Sequence, residues 1–373
     1  MNAIRRSRSP RTTAPAPGRT PLHRASVLLA AVALVAAGPA LAAPAEAAAP
    51  KALCGDPAVA LEPVAQTFLD KLAAGGGPPI QTLTPAAARQ SLLNLQAAYP
   101  VSKLPADITT RTVPGGPTGS VSIRIVRPHG VSGPLPAVMY FHGGGWVLGD
   151  ASTHDRLVRQ IAVGARAAVI FVNYTRSPEA RYPVANEQAY TATQWVARHG
   201  REIGVDGSRL AVAGDSVGGN MVAAVTLMAK ERGGPKLAQQ VLFYPVTDAS
   251  FTTESYRRFA TGCWLTAAGM KWFWDEYAPD TAVRIRPTAS PLRATEAQLR
   301  GLPRALVITD SDVLSDEGRM YAEKLRASGV PVTFTHYPRM IHDFLMLNGL
   351  ADSQAAKSAV AQADEALRRA LHG

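Results

Sequence analysis

The sequence is poor in cysteine and in aromatic residues. Of its 373 residues only Cys54 and Cys263 are cysteines, and 6% are aromatic. No Cys-x-x-Cys pair or His/Cys cluster occurs, so the sequence indicates no metal site of that kind. No basic run with interleaved aromatic residues occurs either, which argues against nucleic-acid binding. The apolar run Val27–Ala37 is shorter than the roughly 20 residues that a membrane-spanning helix needs.

The first 42 residues have the pattern of a secretory signal peptide. They contain six arginines and no acidic residue, and the apolar run is followed by the small-residue site Ala40-Leu41-Ala42. A second site of this type is Ala45-Glu46-Ala47, and an Arg/Pro-rich tail with a membrane anchor is the alternative interpretation. Without residues 1–42 the net charge falls from +11 to +5. We therefore predict a signal peptide over 1–42 and a protein secreted to the exterior or the cell envelope.

A strand, a sharp turn and a helix are predicted around Ser216. The run Gly214-Asp215-Ser216-Val217-Gly218-Gly219 fits the pattern G-x-S-x-G. An apolar run, Leu210–Ala213, precedes it and a helical run, Met221–Lys230, follows it. Such a turn raises the serine Oγ above the sheet, as in a nucleophile elbow. Ser216 is therefore the predicted nucleophile.

Three successive glycines follow another predicted strand. His142-Gly143-Gly144-Gly145-Trp146 comes directly after the apolar run Ala137–Phe141. Glycines let backbone N–H groups approach a developing oxyanion without obstruction by side chains. A flexible glycine-rich turn is the alternative, but the position after a buried strand favours an oxyanion-binding loop.

The two motifs together resemble those of the hormone-sensitive-lipase-like α/β-hydrolases, the bacterial family IV carboxylesterases. The resemblance extends from about Leu61 to the C-terminus and includes 174–183, 271–274 and 337–344. It implies an α/β-hydrolase fold, with a mostly parallel central sheet flanked by helices and a helical cap. The implied organisation is a linker and N-terminal cap helices over 43–110 and a catalytic domain over 111–373. A cap insertion is expected at about 248–286.

Hydrophobic periodicity predicts alternating strands and helices, which is typical of a parallel sheet covered on both faces. Strands are predicted at 121–126, 137–142, 168–174, 210–214, 240–244, 305–309 and 332–337. Helices are predicted at 61–72, 85–98, 154–165, 186–199 and 316–327.

The acidic residue of a Ser-His-Asp triad should follow the strand at 305–309, because the chain order in this fold is serine, acid, histidine. The candidates are Asp310, Asp312 and Asp316. Asp312 aligns with the aspartate of the family's Asp-Pro-Leu, with Val313 in place of the proline. Asp310 is expected to end the strand, and Asp316 is expected to cap the following helix.

His336 and His342 are the candidates for the general base. His336 falls within a predicted strand, where a packed or solvent-facing role is expected. His342 lies on the following loop and matches the histidine of the family's Ile-His-Gly-Phe. Asp343 replaces the glycine of that motif, and a carboxylate that pointed inward there would raise the pKa of His342.

The resemblance also assigns the remaining parts of the site. The oxyanion donors are the backbone N–H groups of Gly144, Gly145 and Val217, and no cofactor or metal is implied. Because the family's cap combines the N-terminal segment with the insertion, Cys54 and Cys263 could meet in one disulfide; two free thiols are the alternative. Members of the family often form homodimers, but no feature of this sequence shows an interface.

A carboxylic-ester hydrolase acting on short- to medium-chain acyl esters is the expected function. The substrate would be a small-molecule ester, with no nucleic-acid partner and no membrane span in the mature chain. An amidase or acyltransferase would use the same triad, and a non-catalytic small-molecule binder is the alternative from another class. The presence of all three triad residues argues against the binder.

Overall fold

The computed structural model describes residues 60–373. Two sequence predictions, the signal peptide over 1–42 and the cysteine pair that includes Cys54, therefore involve residues outside the described part. The strands are β1 (Ala106–Pro114), β2 (Ser120–Pro128), β3 (Leu135–Phe141), β4 (Ala168–Asn173), β5 (Val205–Asp215), β6 (Gln239–Phe243), β7 (Arg304–Asp310) and β8 (Val332–Tyr337). The helices are α1 (Pro63–Gly75), α2 (Pro85–Ala98), α3 (Asp155–Ala165), α4 (Val184–His199), α5 (Val217–Glu231), α6 (Glu254–Arg258), α7 (Ala267–Tyr277), α8 (Glu296–Leu299), α9 (Ser315–Ala327) and α10 (Gln354–His372).

The strands form one sheet in the order β1-β2-β4-β3-β5-β6-β7-β8. From β4 to β8 all neighbouring strands are parallel, whereas β2 pairs antiparallel with both β1 and β4. Every residue of β6 is buried, as expected for a strand covered on both faces. Helices α3 and α10 pack on each other against the sheet, and α4 packs on α5. The predicted α/β-hydrolase fold with its mostly parallel sheet is confirmed.

The edge strand β1 was not predicted from the sequence. Its residues alternate between exposed and partly buried, and Val113 is its one fully buried side chain. An edge strand with one face in solvent does not need the continuous apolar run that marks a central strand. Hydrogen-bonded pairing with β2 therefore holds 106–114 in the extended conformation, which the sequence pattern of this segment does not indicate.

Helices α1, α2, α6 and α7 lie in the segments for which the resemblance implies a cap. Helix α2 begins after Thr84, whose side chain accepts a hydrogen bond from the backbone N–H of Ala87. From α2, Arg89 donates hydrogen bonds to the carbonyl oxygens of Val147 and Ser177, at 2.8 Å each. These bonds tie the N-terminal helices to the loops that follow β3 and β4. Within residues 60–373 no helix is both long enough and apolar enough to cross a bilayer.

Helix α7 directly contacts the glycine-rich loop over 142–146, called the glycine loop below. The Trp146 ring stacks on the Tyr277 ring, with centroids 3.9 Å apart and planes 5° apart. A Cβ atom on Gly145 would overlap the Phe273 ring, so only glycine allows this approach. The loop predicted to bind the oxyanion is therefore packed between the sheet and the cap.

Candidate active site

Ser216 lies on the strained turn between β5 and α5. Its φ of 55° and ψ of −119° are unfavourable for a residue with a side chain, as expected for a nucleophile elbow. The serine N–H donates to the carbonyl oxygen of Phe243, at 2.8 Å, which fixes the turn to β6. A Cβ atom on Gly214 or Gly218 would collide with neighbouring backbone. Both glycines of the motif are therefore required by close packing.

The structure brings the three predicted triad residues together. His342 Nε2 lies 2.9 Å from Ser216 Oγ, and His342 Nδ1 lies 2.5 Å from Asp312 Oδ2. Because a carboxylate only accepts hydrogen bonds, the proton of the neutral imidazole belongs on Nδ1. Nε2 is then free to accept the serine proton. All three side chains are buried, with at most 4% of their surface exposed.

The carboxylate of Asp312 is held by the loop after β7. Its Oδ1 accepts a hydrogen bond from the backbone N–H of Leu314, at 2.8 Å, which leaves Oδ2 for the histidine. Asp310 ends β7, as predicted, and lies beside Asp312. Burial and the neighbouring charge raise the pKa of Asp310 well above its usual range.

The two remaining candidates, Asp316 for the acid and His336 for the base, form hydrogen bonds outside the triad. Asp316 is not the residue before α9 but lies in its first turn, and its Oδ2 accepts a hydrogen bond from the Ser255 N–H. The prediction that Asp316 caps the helix is therefore wrong, and the residue instead links α9 to α6. His336 lies within β8, and its Nδ1 is 2.9 Å from Thr309 Oγ1.

Asp343 points toward His342, the predicted general base. Its Oδ1 lies 3.5 Å from His342 Nε2, and its Oδ2 accepts a hydrogen bond from Trp264 Nε1, at 2.9 Å. Burial would lower the pKa of His342, but the charge of Asp343 and the hydrogen bond to Asp312 raise it above the ordinary value. The sequence indicated this effect only on the condition that the side chain pointed inward, and it does.

The loop over 338–347, which carries His342 and is called the histidine loop below, is supported by Arg156 of α3. Its Nη2 donates to the carbonyl oxygens of Leu345 and Met346, at 2.5 and 2.9 Å. Burial of the guanidinium group lowers the pKa of Arg156 to about 10. The role of Arg156 was not predicted from the sequence, because the arginine and Leu345 are 189 residues apart.

The predicted oxyanion donors come from two segments, the N-terminus of α5 and the loop that follows β3. Val217 is the first residue of α5, where a backbone N–H has no partner within the helix and is available to an anion. Gly144 and Gly145 have φ values of 103° and 65°, a region that favours glycine. The Gly144 carbonyl oxygen accepts hydrogen bonds from the N–H groups of Val147 and Leu148, which holds the loop closed.

A buried ion pair lies behind the elbow. Asp215 Oδ2 is 3.1 Å from His154 Nε2, and Asp215 Oδ1 accepts a 2.6 Å hydrogen bond from the Tyr140 hydroxyl. Burial opposes both charges, but their mutual attraction leaves the pKa of His154 raised and that of Asp215 lowered. The sequence did not indicate these partners of Asp215.

Comparison with known proteins identifies the family. A family model described as alpha/beta hydrolase fold matches residues 138–346. The chain belongs to the hormone-sensitive-lipase-like α/β-hydrolases. The chain is also similar to carboxylesterase NlhH of Mycobacterium tuberculosis, with 39% identity over 71% of this chain and 83% of the relative.

Other relatives of this hydrolase extend the similarity. A putative alpha/beta hydrolase, R526, of Acanthamoeba polyphaga mimivirus is 36% identical over 80% of this chain and 84% of its own length. Among solved structures, a thermostable esterase from Pseudomonas putida is 52% identical and superposes with a TM-score of 0.83. That match covers 84% of this chain and 98% of the esterase. The match to the esterase therefore covers a larger share of the chain than the residues 138–346 that the family model covers.

Proposed function

We propose that this α/β-hydrolase is a secreted serine carboxylesterase that acts on short- to medium-chain acyl esters. The observation that carries the proposal is the pair of hydrogen-bond distances that joins Ser216 to His342 and His342 to Asp312. The esterase names of its relatives support the same reaction class. The complete triad disfavours a non-catalytic binder, and an amidase or acyltransferase differs only in the leaving or accepting group.

The geometry supports a two-step mechanism. His342 Nε2 takes the proton of Ser216 as Oγ attacks the acyl carbonyl carbon, and the carboxylate of Asp312 stabilises the imidazolium that forms. The N–H groups of Gly144, Gly145 and Val217 stabilise the negative oxygen of the tetrahedral intermediate. Nε2 then protonates the leaving alcohol, and water releases the acid from the acyl-enzyme by the reverse sequence of proton transfers.

The covered position of the nucleophile supports small acyl groups. Ser216 and His342 are only 4% and 3% exposed, and aromatic side chains of the cap lie close by: Phe273 packs on the glycine loop and Trp264 contacts Asp343. A substrate must therefore fit between the elbow and these rings. We therefore expect short acyl groups to be turned over faster than long ones.

Hydrolysis of p-nitrophenyl esters of graded chain length tests the activity and the acyl preference. Chain 43–373 and its Ser216→Ala variant are compared on acetate, butyrate, octanoate and palmitate. The expected result is a rate that falls from butyrate to palmitate and is abolished by the substitution. Turnover that persists without the serine hydroxyl would refute the triad assignment, and equal rates on palmitate would refute the chain-length assignment.

Export is tested separately, because residues 1–42 lie outside the described part of the structure. The full chain is expressed in a secreting bacterial host, and the N-terminus of the exported protein is determined by mass spectrometry. A start at Ala43 or Ala48 is expected, since these follow the two predicted cleavage sites. Retention of the whole chain in the cytoplasm would contradict the signal-peptide prediction.

A further inference from the structure

The carboxylate of Asp343 has one oxygen occupied and one oxygen facing the catalytic base. Its Oδ2 accepts the hydrogen bond from Trp264 Nε1, while its Oδ1 lies 3.5 Å from His342 Nε2. Oδ1 is fully buried and accepts no hydrogen bond from any of residues 60–373. Burying an acceptor without a donor costs free energy of folding. Such an oxygen therefore indicates a role for a donor from outside the protein, such as water or a substrate.

The backbone conformation of Asp343 favours glycine. Asp343 has a φ of 66°, in the left-handed region where glycine is preferred. Its side chain is 6% exposed and lies among apolar neighbours on the histidine loop. Neither the backbone conformation nor the burial explains an aspartate here, so the explanation must come from what the carboxylate contacts.

We propose that Asp343 Oδ1 and His342 Nε2 together bind the water that hydrolyses the acyl-enzyme. The two acceptors are close enough for one water molecule to donate a hydrogen bond to each of them. The water oxygen then keeps a lone pair free to attack the carbonyl carbon on Ser216. This inference rests on the proposed esterase function and assigns to Asp343 a catalytic role in its second step.

The role follows from the difference between water and an alcohol. The leaving alcohol and the attacking water occupy the same place beside Nε2, because the second step reverses the proton transfers of the first. An alcohol has one hydroxyl hydrogen, which Nε2 accepts, and a carbon substituent in place of the other hydrogen. Water has a second hydrogen, which Asp343 Oδ1 accepts. The carboxylate therefore favours water over an alcohol as the acceptor of the acyl group.

The atoms balance without a further reactant. The water oxygen forms a bond to the acyl carbon while one of its protons moves to His342 Nε2. When the tetrahedral intermediate collapses, the bond between the acyl carbon and Ser216 Oγ breaks and Nε2 returns its proton to Oγ. The carboxylic acid leaves with the second hydrogen of the water, which had been hydrogen-bonded to Asp343 throughout the attack.

The ratio of hydrolysis to methanolysis tests the proposal. The enzyme turns over p-nitrophenyl butyrate in the presence of methanol, and initial amounts of butyric acid and methyl butyrate are measured by gas chromatography. Both products arise from the same acyl-enzyme, so their ratio does not depend on the acylation rate or on the fraction of folded protein. We expect Asp343→Asn to lower the ratio of acid to methyl ester by about tenfold. This factor corresponds to the loss of one hydrogen bond from water to a charged acceptor.

Asparagine is informative because the Trp264 N–H requires an acceptor. The amide must therefore turn its oxygen toward Trp264 and its NH₂ group toward His342 Nε2, which replaces the acceptor for water by a donor. Asp343→Gly removes the acceptor and relieves the backbone conformation, so the same direction of change is expected from a variant that should fold well. Asp364→Asn is the matched control, because Asp364 Oδ1 is also a buried acceptor without a partner among residues 60–373, but the side chain lies on α10 against Gly164 and away from Nε2.

The outcomes separate the inference from the esterase assignment. A ratio that falls in both Asp343 variants and stays within twofold of the parent in the control supports the water-binding role. An unchanged ratio in the Asp343 variants, with turnover still dependent on Ser216, overturns the inference and leaves the esterase intact. Absence of serine-dependent turnover in the parent enzyme overturns the proposed function itself.

Discussion

The buried ion pair behind the elbow makes Asp215→Asn a sharp test of how the site is supported. The substitution keeps the size of the side chain and removes the carboxylate in contact with His154, which is 0% exposed. Removal of one partner of a buried ion pair costs about 3–5 kcal/mol. At about 2 °C per kcal/mol for a chain of this size, the midpoint of thermal unfolding should fall by about 6–10 °C.

The size of this effect should depend on pH in a defined direction. The pKa of His154 is raised, so its contribution is complete below its unfolded value, about 6.5, and is lost as pH rises through the folded value. The pKa of Asp215 is lowered, so its contribution is present above its unfolded value, about 3.9, and is lost as pH falls through the folded value. The difference between parent and variant should therefore be largest near pH 5–6 and smaller on the alkaline side.

Circular dichroism of thermal unfolding at pH 5.5 and at a clearly alkaline pH measures both parts of the prediction. The double variant His154→Gln/Asp215→Asn carries neither charge and serves as the control; it should recover part of the loss, since the two positions are in contact. A midpoint of Asp215→Asn within about 2 °C of the parent at pH 5.5 would refute the ion-pair reasoning. So would a difference that grows as the pH rises.

Three further predictions concern the parts of the site around this pair. Gly145→Ala places a Cβ atom in the Phe273 ring at a positive φ, so ester turnover should fall by about 100-fold or more, measured as kcat. Asp343→Asn removes a negative charge beside His342 and should lower the pKa of that base. The acidic limb of the pH profile of kcat/KM, measured from pH 4 to 9, should therefore move to lower pH. An unmoved limb would contradict this. Glu317→Gln should change the unfolding midpoint at pH 7 by less than about 3 °C, because burial raises the pKa of Glu317 and the amide keeps an oxygen that can accept from the N–H groups of Thr247 and Asp248.

The parts of the site that the sequence predicted are those encoded within a few neighbouring residues. The elbow at Ser216 needs small residues within two positions of the serine, and the loop after β3 needs successive glycines. Both requirements are local, so the sequence shows them directly. Asp312 and His342 were predicted because they match residues of the family's motifs and follow Ser216 in the chain order of this fold.

The parts that it did not predict depend on contacts between distant segments. His154 and Asp215 are 61 residues apart, and Trp264 and Asp343 are 79 residues apart. No periodicity links such pairs, because the tertiary fold alone brings them together. Strand β1 was missed for a related reason. Its extended conformation depends on pairing with β2, and the segment has no apolar run of its own.

The contact between the glycine loop and the cap has a consequence for the engineering and evolution of this enzyme. The stacking of Trp146 on Tyr277 and the approach of Gly145 to Phe273 place the cap in direct contact with the backbone that is predicted to supply the oxyanion donors. A cap exchanged for that of another hydrolase would alter these donors as well as the substrate pocket. Chimeras should therefore keep activity only when the loop over 142–146 is transferred together with α7, so that specificity and catalytic rate are inherited as one unit.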